Sequence, residues 1–316
     1  MIRTAGAGIR SVGAGLAVVT IAGLGGDAPS GGEREAAGHA PSAIERGEAV
    51  LRATGGCSCH TNLPEEGAAA PALAGGRGLA TPFGTFYSTN ITPDRETGIG
   101  AWSDVDFLRA MTEGLAPDGS NYFPIFPYPA FASMTRRDLL DLKTYLFSLP
   151  AVARRNRPPD AWPPFRWRVS VTGWKLLNFR PRPFEADPKR SASWNRGAYL
   201  VNGPSHCGEC HTPRTLTGGL DRARWLAGSV EGPEGELAPN ITPDRRTGIG
   251  DWSAVDVAWY LETGIKPDGD DTQGLMAEVI EHGFGKLPAT DRRAIAEYLL
   301  SLPAVEHEVK APSGRE

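Results

Sequence analysis

Apolar positions recur at helical spacing in short blocks separated by Gly- and Pro-rich stretches. Leu139, Leu142 and Leu146 share one face of a helix that begins at Thr135 and ends before Pro150. A counterpart begins at Thr290 and ends before Pro303. Phe107, Leu108 and Met111 line a helix that Ser103 starts, with Asp106 at its third position, and that Gly114 stops. Val257, Tyr260 and Leu261 do the same between Ser253, with Asp256, and Gly264. Ser42 and Glu45 form a capping-box pattern at the head of an earlier helix. No convincing run of strand positions is present, so the pattern predicts an all-α chain of short helices and long irregular connections.

These blocks belong to an internal repeat. The string NITPDRETGIGAWS at 90–103 returns as NITPDRRTGIGDWS at 240–253, an offset of 150. Arg46 and Gly47 return as Arg196 and Gly197, and YLFSLPAV at 145–152 returns as YLLSLPAV at 298–305. Two copies this long are too few for a solenoid and predict two homologous domains, 41–155 and 190–307. Between them, 156–189 is rich in Pro and Arg and holds Trp162, Trp167 and Trp174. It is too aromatic for a disordered linker and is expected to pack across both domains. At the N-terminus, Arg3 and Arg10 precede an apolar run from Val12 to Leu24, the layout of a secretory signal peptide over 1–26. An uncleaved membrane anchor is the alternative. Residues 27–40 then form a linker and 308–316 a short polar tail.

The net charge of −4 carries no basic signal, which argues against nucleic acid. All four cysteines fall in two motifs. Cys207, Cys210 and His211 form C-x-x-C-H, the attachment signature of c-type haem. Two thiols add to the two porphyrin vinyls, and the following His lies under the iron. A zinc half-site and a thioredoxin-like redox pair are the alternatives. The first needs two more ligands; the second has no need of the His. Covalent haem attachment takes place outside the bacterial cytoplasm, which fits the export signal. In the first copy the motif is altered: Cys57, Ser58, Cys59, His60, with one residue fewer between the cysteines. On a regular helix the two thiols of such a pair project about 200° apart. One thioether through Cys59, with proximal His60, is therefore expected unless the turn is distorted.

Met276 lies 65 residues after His211, in a segment that reads as a loop, and is the expected sixth ligand of the second haem. The first copy carries Phe126 at the matching position, which cannot ligate iron. Met111, Met134, Lys143 and His39 are the remaining donors near it. The first haem is expected to be five-coordinate or weakly ligated, or absent. His206 and His282 are expected beside the sites rather than on the iron.

Several strings carry a resemblance: 81–84 (TPFG), 87–94 (YSTNITPD), 98–103 (GIGAWS), 127–129 (PYP), 194–200 (WNRGAYL) and 206–211 (HCGECH). Over 41–305 the chain resembles the cytochrome c subunits of bacterial membrane-associated dehydrogenases, such as those of gluconate 2-dehydrogenase and alcohol dehydrogenase. The resemblance implies tandem cytochrome c-like domains with two haem c. Cys207 and Cys210 would be anchors, with His211 and Met276 as the axial pair of the second haem; Cys59 and His60 carry over for the first. It implies a flavin, quinoprotein or molybdenum dehydrogenase as electron donor and a quinone or oxidase downstream. The role would be electron transfer in the periplasm, with membrane association open. A dihaem peroxidase and a gas sensor, each using an open first haem, are the alternatives.

Overall fold

The computed structural model describes residues 40–310 apart from residue 231. The export segment, most of the following linker with His39, and the end of the tail lie outside the described residues. From Pro41 onward the chain is one compact unit.

Eleven α-helices are described. The first five are α1 (Ala43–Ala53), α2 (Leu63–Glu66), α3 (Asp104–Glu113), α4 (Tyr128–Phe131) and α5 (Arg136–Ser148); α6 (Ser170–Asn178) belongs to the connector. The remainder are α7 (Ala192–Asn202), α8 (Cys207–His211), α9 (Ala254–Thr263), α10 (Gly274–His282) and α11 (Ala289–Leu300). The caps follow side-chain chemistry. Ser42, Ser103 and Ser253 each close a capping box with the residue three further on, and Gly114 and Gly264 end their helices in the left-handed region. The expected start at Thr290 moves upstream, because Pro288 takes the cap position of α11.

The repeated Arg-Gly pair has a packing role. α1 crosses α5 so closely that a Cβ on Gly47 would lie 2.0 Å from the Asp141 carbonyl oxygen. Likewise α7 crosses α11, and a Cβ on Gly197 would lie 1.9 Å from that of Ala294. The neighbouring arginines pin the crossings: Arg46 pairs with Asp141 at 2.7 Å and Arg196 with Asp291 at 2.8 Å.

Two apolar cores result. One gathers Leu73, Phe107, Met111, Leu139, Leu142 and Leu146; the other gathers Leu200, Val201, Val257, Leu261, Ile295 and Leu299. Ala53, at the end of α1, is buried in the second core.

A small antiparallel sheet departs from the all-α expectation. β1 (Gly78–Thr81) pairs with β2 (Gly84–Tyr87), which pairs with β3 (Asp160–Ala161) from the connector. Leu79 stands opposite Phe86, and Gly84 opposite Ala161. Strands of four and two residues are too short for their alternation to show in sequence. The connector touches both flanking segments. Lys175 donates to the Glu113 carbonyl at 2.6 Å and to Asn121 Oδ1 at 2.7 Å, while Asn178 accepts from the Thr217 hydroxyl at 2.8 Å.

Candidate haem sites

In the second copy, His206 takes a left-handed backbone (φ 38°) and launches α8, the helical turn that carries Cys207, Cys210 and His211. His211 Nδ1 lies 2.7 Å from the Pro239 carbonyl oxygen. A carbonyl only accepts, so Nδ1 carries the proton and Nε2 keeps its lone pair for a metal. Such outer contacts fix the ring and raise its basicity as a ligand. Two more bonds hold the loop: Gly228 N–H donates to the His211 carbonyl at 2.7 Å, and Leu226 N–H donates to the Thr212 hydroxyl at 3.0 Å.

The first copy repeats this pattern around His60. Its Nδ1 lies 2.6 Å from the Thr89 carbonyl oxygen, one residue before the repeated string as Pro239 is. Gly75 N–H donates to the His60 carbonyl at 2.7 Å, and Leu73 N–H donates to the Thr61 hydroxyl at 3.0 Å.

The missing residue is absorbed upstream of the His. Gly55–His60 is a tight 3-10 turn rather than an α-helical one, with Gly56 at φ 73° and Cys57 at φ 51°, ψ 36°. A left-handed Cys is a costly conformation for a residue with a Cβ. The regular turn assumed from the spacing is therefore distorted here, and Cys57 does not project as it would from a helix. Its thiol lies 3.1 Å from the Thr54 hydroxyl.

All four cysteines are unbridged. Burial pushes Cys59 and Cys207 up to about 12, and Cys57 and Cys210 up to about 11. Thiols at such values are protonated at neutral pH. Among the described residues no three of His, Cys, Asp and Glu come together to hold a metal ion, so the zinc alternative lacks its further ligands. Desolvation lowers His60 and His211 below the usual imidazole range, against the raising effect of their carbonyl bonds, so both rings favour the neutral form a metal requires.

Met276 is not in a loop. It lies in the first turn of α10 and packs, half-buried, on the second core. The Glu236 carboxylate accepts from Leu275 N–H at 2.9 Å, placing an anion at the start of that helix. Phe126, at the matching place, meets the rings of Tyr122, Tyr128 and Phe131 edge-on at 5.5–6.1 Å. The other donors near the first site are engaged elsewhere. Met111 and Met134 are core residues, and Lys143 pairs with Asp104 at 2.6 Å.

The repeated string serves as a latch. Asn240 donates from Nδ2 to the Val305 carbonyl at 2.8 Å and to Thr247 Oγ1 at 3.0 Å, and accepts from Thr242 N–H at 2.9 Å. Asn90 does the same with Val152, Thr97 and Thr92 at 2.7, 3.2 and 2.9 Å. The latch follows directly on the carbonyl that orients each histidine. The sequence displays the repeat but not this role.

The two sites also sit on each other. A Cβ on Gly56 would lie 2.5 Å from the His282 carbonyl oxygen, and one on Gly55 3.0 Å from Val279, both on the helix of Met276. Reciprocally, His206 meets the Phe131 ring edge-on at 5.5 Å, and the Ser133 hydroxyl lies 3.3 Å from the Asn202 carbonyl. Arg77 bridges the same boundary. Its side chain is 2% exposed and pairs with Glu234 at 2.7 Å and Glu278 at 2.5 Å. Burial alone would lower the guanidinium, but the bonds from Glu278 and Glu234 hold it above the ordinary arginine range. Its partners lie 157 and 201 residues away, beyond the reach of any local sequence signal.

Half-buried thiols beside a neutral histidine, oriented by a carbonyl and backed by an apolar core, fit a covalently held haem. The class these sites define is the c-type cytochrome. No protein-family model matches the chain. It is 43% identical over 301 residues to a dihaem c-type cytochrome of Cereibacter sphaeroides, covering 94% of this chain and 99% of that one. It is 39% identical over 282 residues to the fructose dehydrogenase cytochrome subunit of Gluconobacter japonicus, covering 89% of this chain and 55% of the subunit. Against the gluconate 2-dehydrogenase cytochrome c subunit of Pantoea cypripedii the figures are 37% over 275 residues, 83% and 60%. The chain belongs to this family of dihaem c-type cytochromes and dehydrogenase cytochrome c subunits, and it spans somewhat over half the length of those two subunits.

Proposed function

We propose that this chain is a periplasmic two-centre electron carrier, built as two tandem cytochrome c-like domains. It would take electrons from a flavin, quinoprotein or molybdenum dehydrogenase and pass them toward a quinone or oxidase. Haem c, when bound, supplies one-electron exchange. The chain supplies orientation and exclusion of water. At the second site Cys207 and Cys210 are the anchors, His211 the proximal ligand and Met276 the sixth. At the first, Cys59 is the anchor and His60 the proximal ligand, because the distorted turn leaves the Cys57 thiol against the Thr54 hydroxyl while Cys59 keeps its place beside the histidine, and Phe126 leaves the sixth position without a protein donor. The observation that carries this reading is the reciprocal seating of the two attachment turns, which supports electron exchange between the sites.

A pyridine haemochrome spectrum against protein concentration tests it. Two haems per chain, one with the red-shifted band of an unreacted vinyl, are expected. One haem per chain would leave a single-centre carrier. The Phe126 cluster supports a second reading, an open first iron that binds a small gas. Carbon monoxide bound by half of the reduced haem is the expected sign.

A further inference from the structure

The connector carries its apolar residues on the wrong side for a surface helix. On α6 the inward side holds Lys175 and Asn178, whose polar groups bond the flanking segments, together with buried Val171. The outward side holds Leu176 and Leu177, 70% and 68% exposed, with exposed Val169 at the cap position before the helix. The segment just before it adds Trp162, Phe165 and Trp167, with the two tryptophans 66% and 50% exposed. A surface helix of a globular domain shows the reverse arrangement, and large apolar side chains exposed together within one short segment mark an interaction surface.

Charge says what kind. Residues 156–189 hold seven Lys or Arg against three Asp or Glu, a net +4. The whole chain is −4, so the rest carries −8. Arg166, Arg180 and Arg182 are exposed in the same segment, and none forms an ion pair among the described residues. An anionic surface would therefore attract this face and repel the remainder, which fixes an orientation. Tryptophans and aliphatic side chains flanked by arginine are the composition that settles at the headgroup boundary of a bilayer. No helix among the described residues is long and apolar enough to cross a membrane.

We infer that the connector face, Trp162–Leu177, is a docking surface for an anionic lipid bilayer. The chain lies on the membrane there through shallow insertion of its Trp and Leu side chains. The full chain, purified with haem, is floated with vesicles of phosphatidylglycerol and phosphatidylcholine, and with phosphatidylcholine alone. Binding only to the anionic vesicles, weakened by salt, is expected. Brominated acyl chains are expected to quench tryptophan fluorescence. Leu176→Asp with Leu177→Asp, both exposed and free of core contacts, is expected to reduce partitioning about tenfold or more while the visible haem spectrum stays unchanged. Arg166→Glu with Arg180→Glu gives a smaller loss that vanishes at high salt. Equal partitioning of the wild type and the Leu double variant overturns the proposal and assigns any binding to another part of the chain. So does an effect of the Leu pair confined to association with a dehydrogenase, or to self-association, with vesicle binding unchanged. Quenching that the double variant abolishes supports it.

Discussion

The turns Gly55–His60 and Cys207–His211 share a surrounding frame and differ in the backbone that carries their cysteines. Around both histidines the same carbonyl, the same loop bonds and the same Asn latch recur at nearly the same distances. The differences fall on the cysteine spacing and on the residue at the matching position of the repeat, Phe126 against Met276. The frame fixes a neutral imidazole in both copies. The first copy has therefore kept the surroundings of its histidine while its cysteine spacing and the residue matching Met276 changed.

The comparison is sharpened most by Phe126→Met. It is expected to abolish carbon monoxide binding at the first site and raise its potential, measured by spectroelectrochemistry. Unchanged gas binding would mean that the Phe126 position does not face the iron. Arg77→Met strips a buried cation from two carboxylates and is expected to destabilise the fold by about 3–5 kcal/mol, read by denaturant unfolding. Arg77→Lys should recover part of that loss. A cost below about 1 kcal/mol, the range of exposed pairs, would show that the triad does not hold the two sites together. Asn240→Ala and Asn90→Ala leave buried partners unmatched, and each is expected to cost about 1–3 kcal/mol. Nearly equal costs would match the equal frames; a latch that mattered in one copy alone would break the comparison. Ser103→Ala and Ser253→Ala should each cost only about 1 kcal/mol through the lost cap.

Much of this was legible in sequence because it is local. Ser103, Asp106 and Gly114 announce a helix with its ends, and Leu139, Leu142 and Leu146 announce its buried face. The offset of 150 pairs Phe126 with Met276 without any structure. What escaped is what short range does not encode. Met276 reads as loop because Gly274 precedes it, yet Gly274 begins α10. The strands over 78–87 are too brief to show a period. The distortion at Cys57 follows from a deletion whose backbone remedy the spacing alone does not specify. The seating of each turn on the opposite segment joins residues 69 or more positions apart, as Ser133 with Asn202 and Phe131 with His206 show, and a reading that treats each copy by itself does not reach it.

That seating has a consequence for how such a protein can be taken apart. Val279 and His282 roof the first turn, Phe131 and Ser133 roof the second, and Ala53 fills a place in the far core. A fragment cut within 156–189 would lose the wall of its own redox centre along with its neighbour. Although the string of the chain suggests two beads, the unit that can be inherited, trimmed or transplanted is the pair.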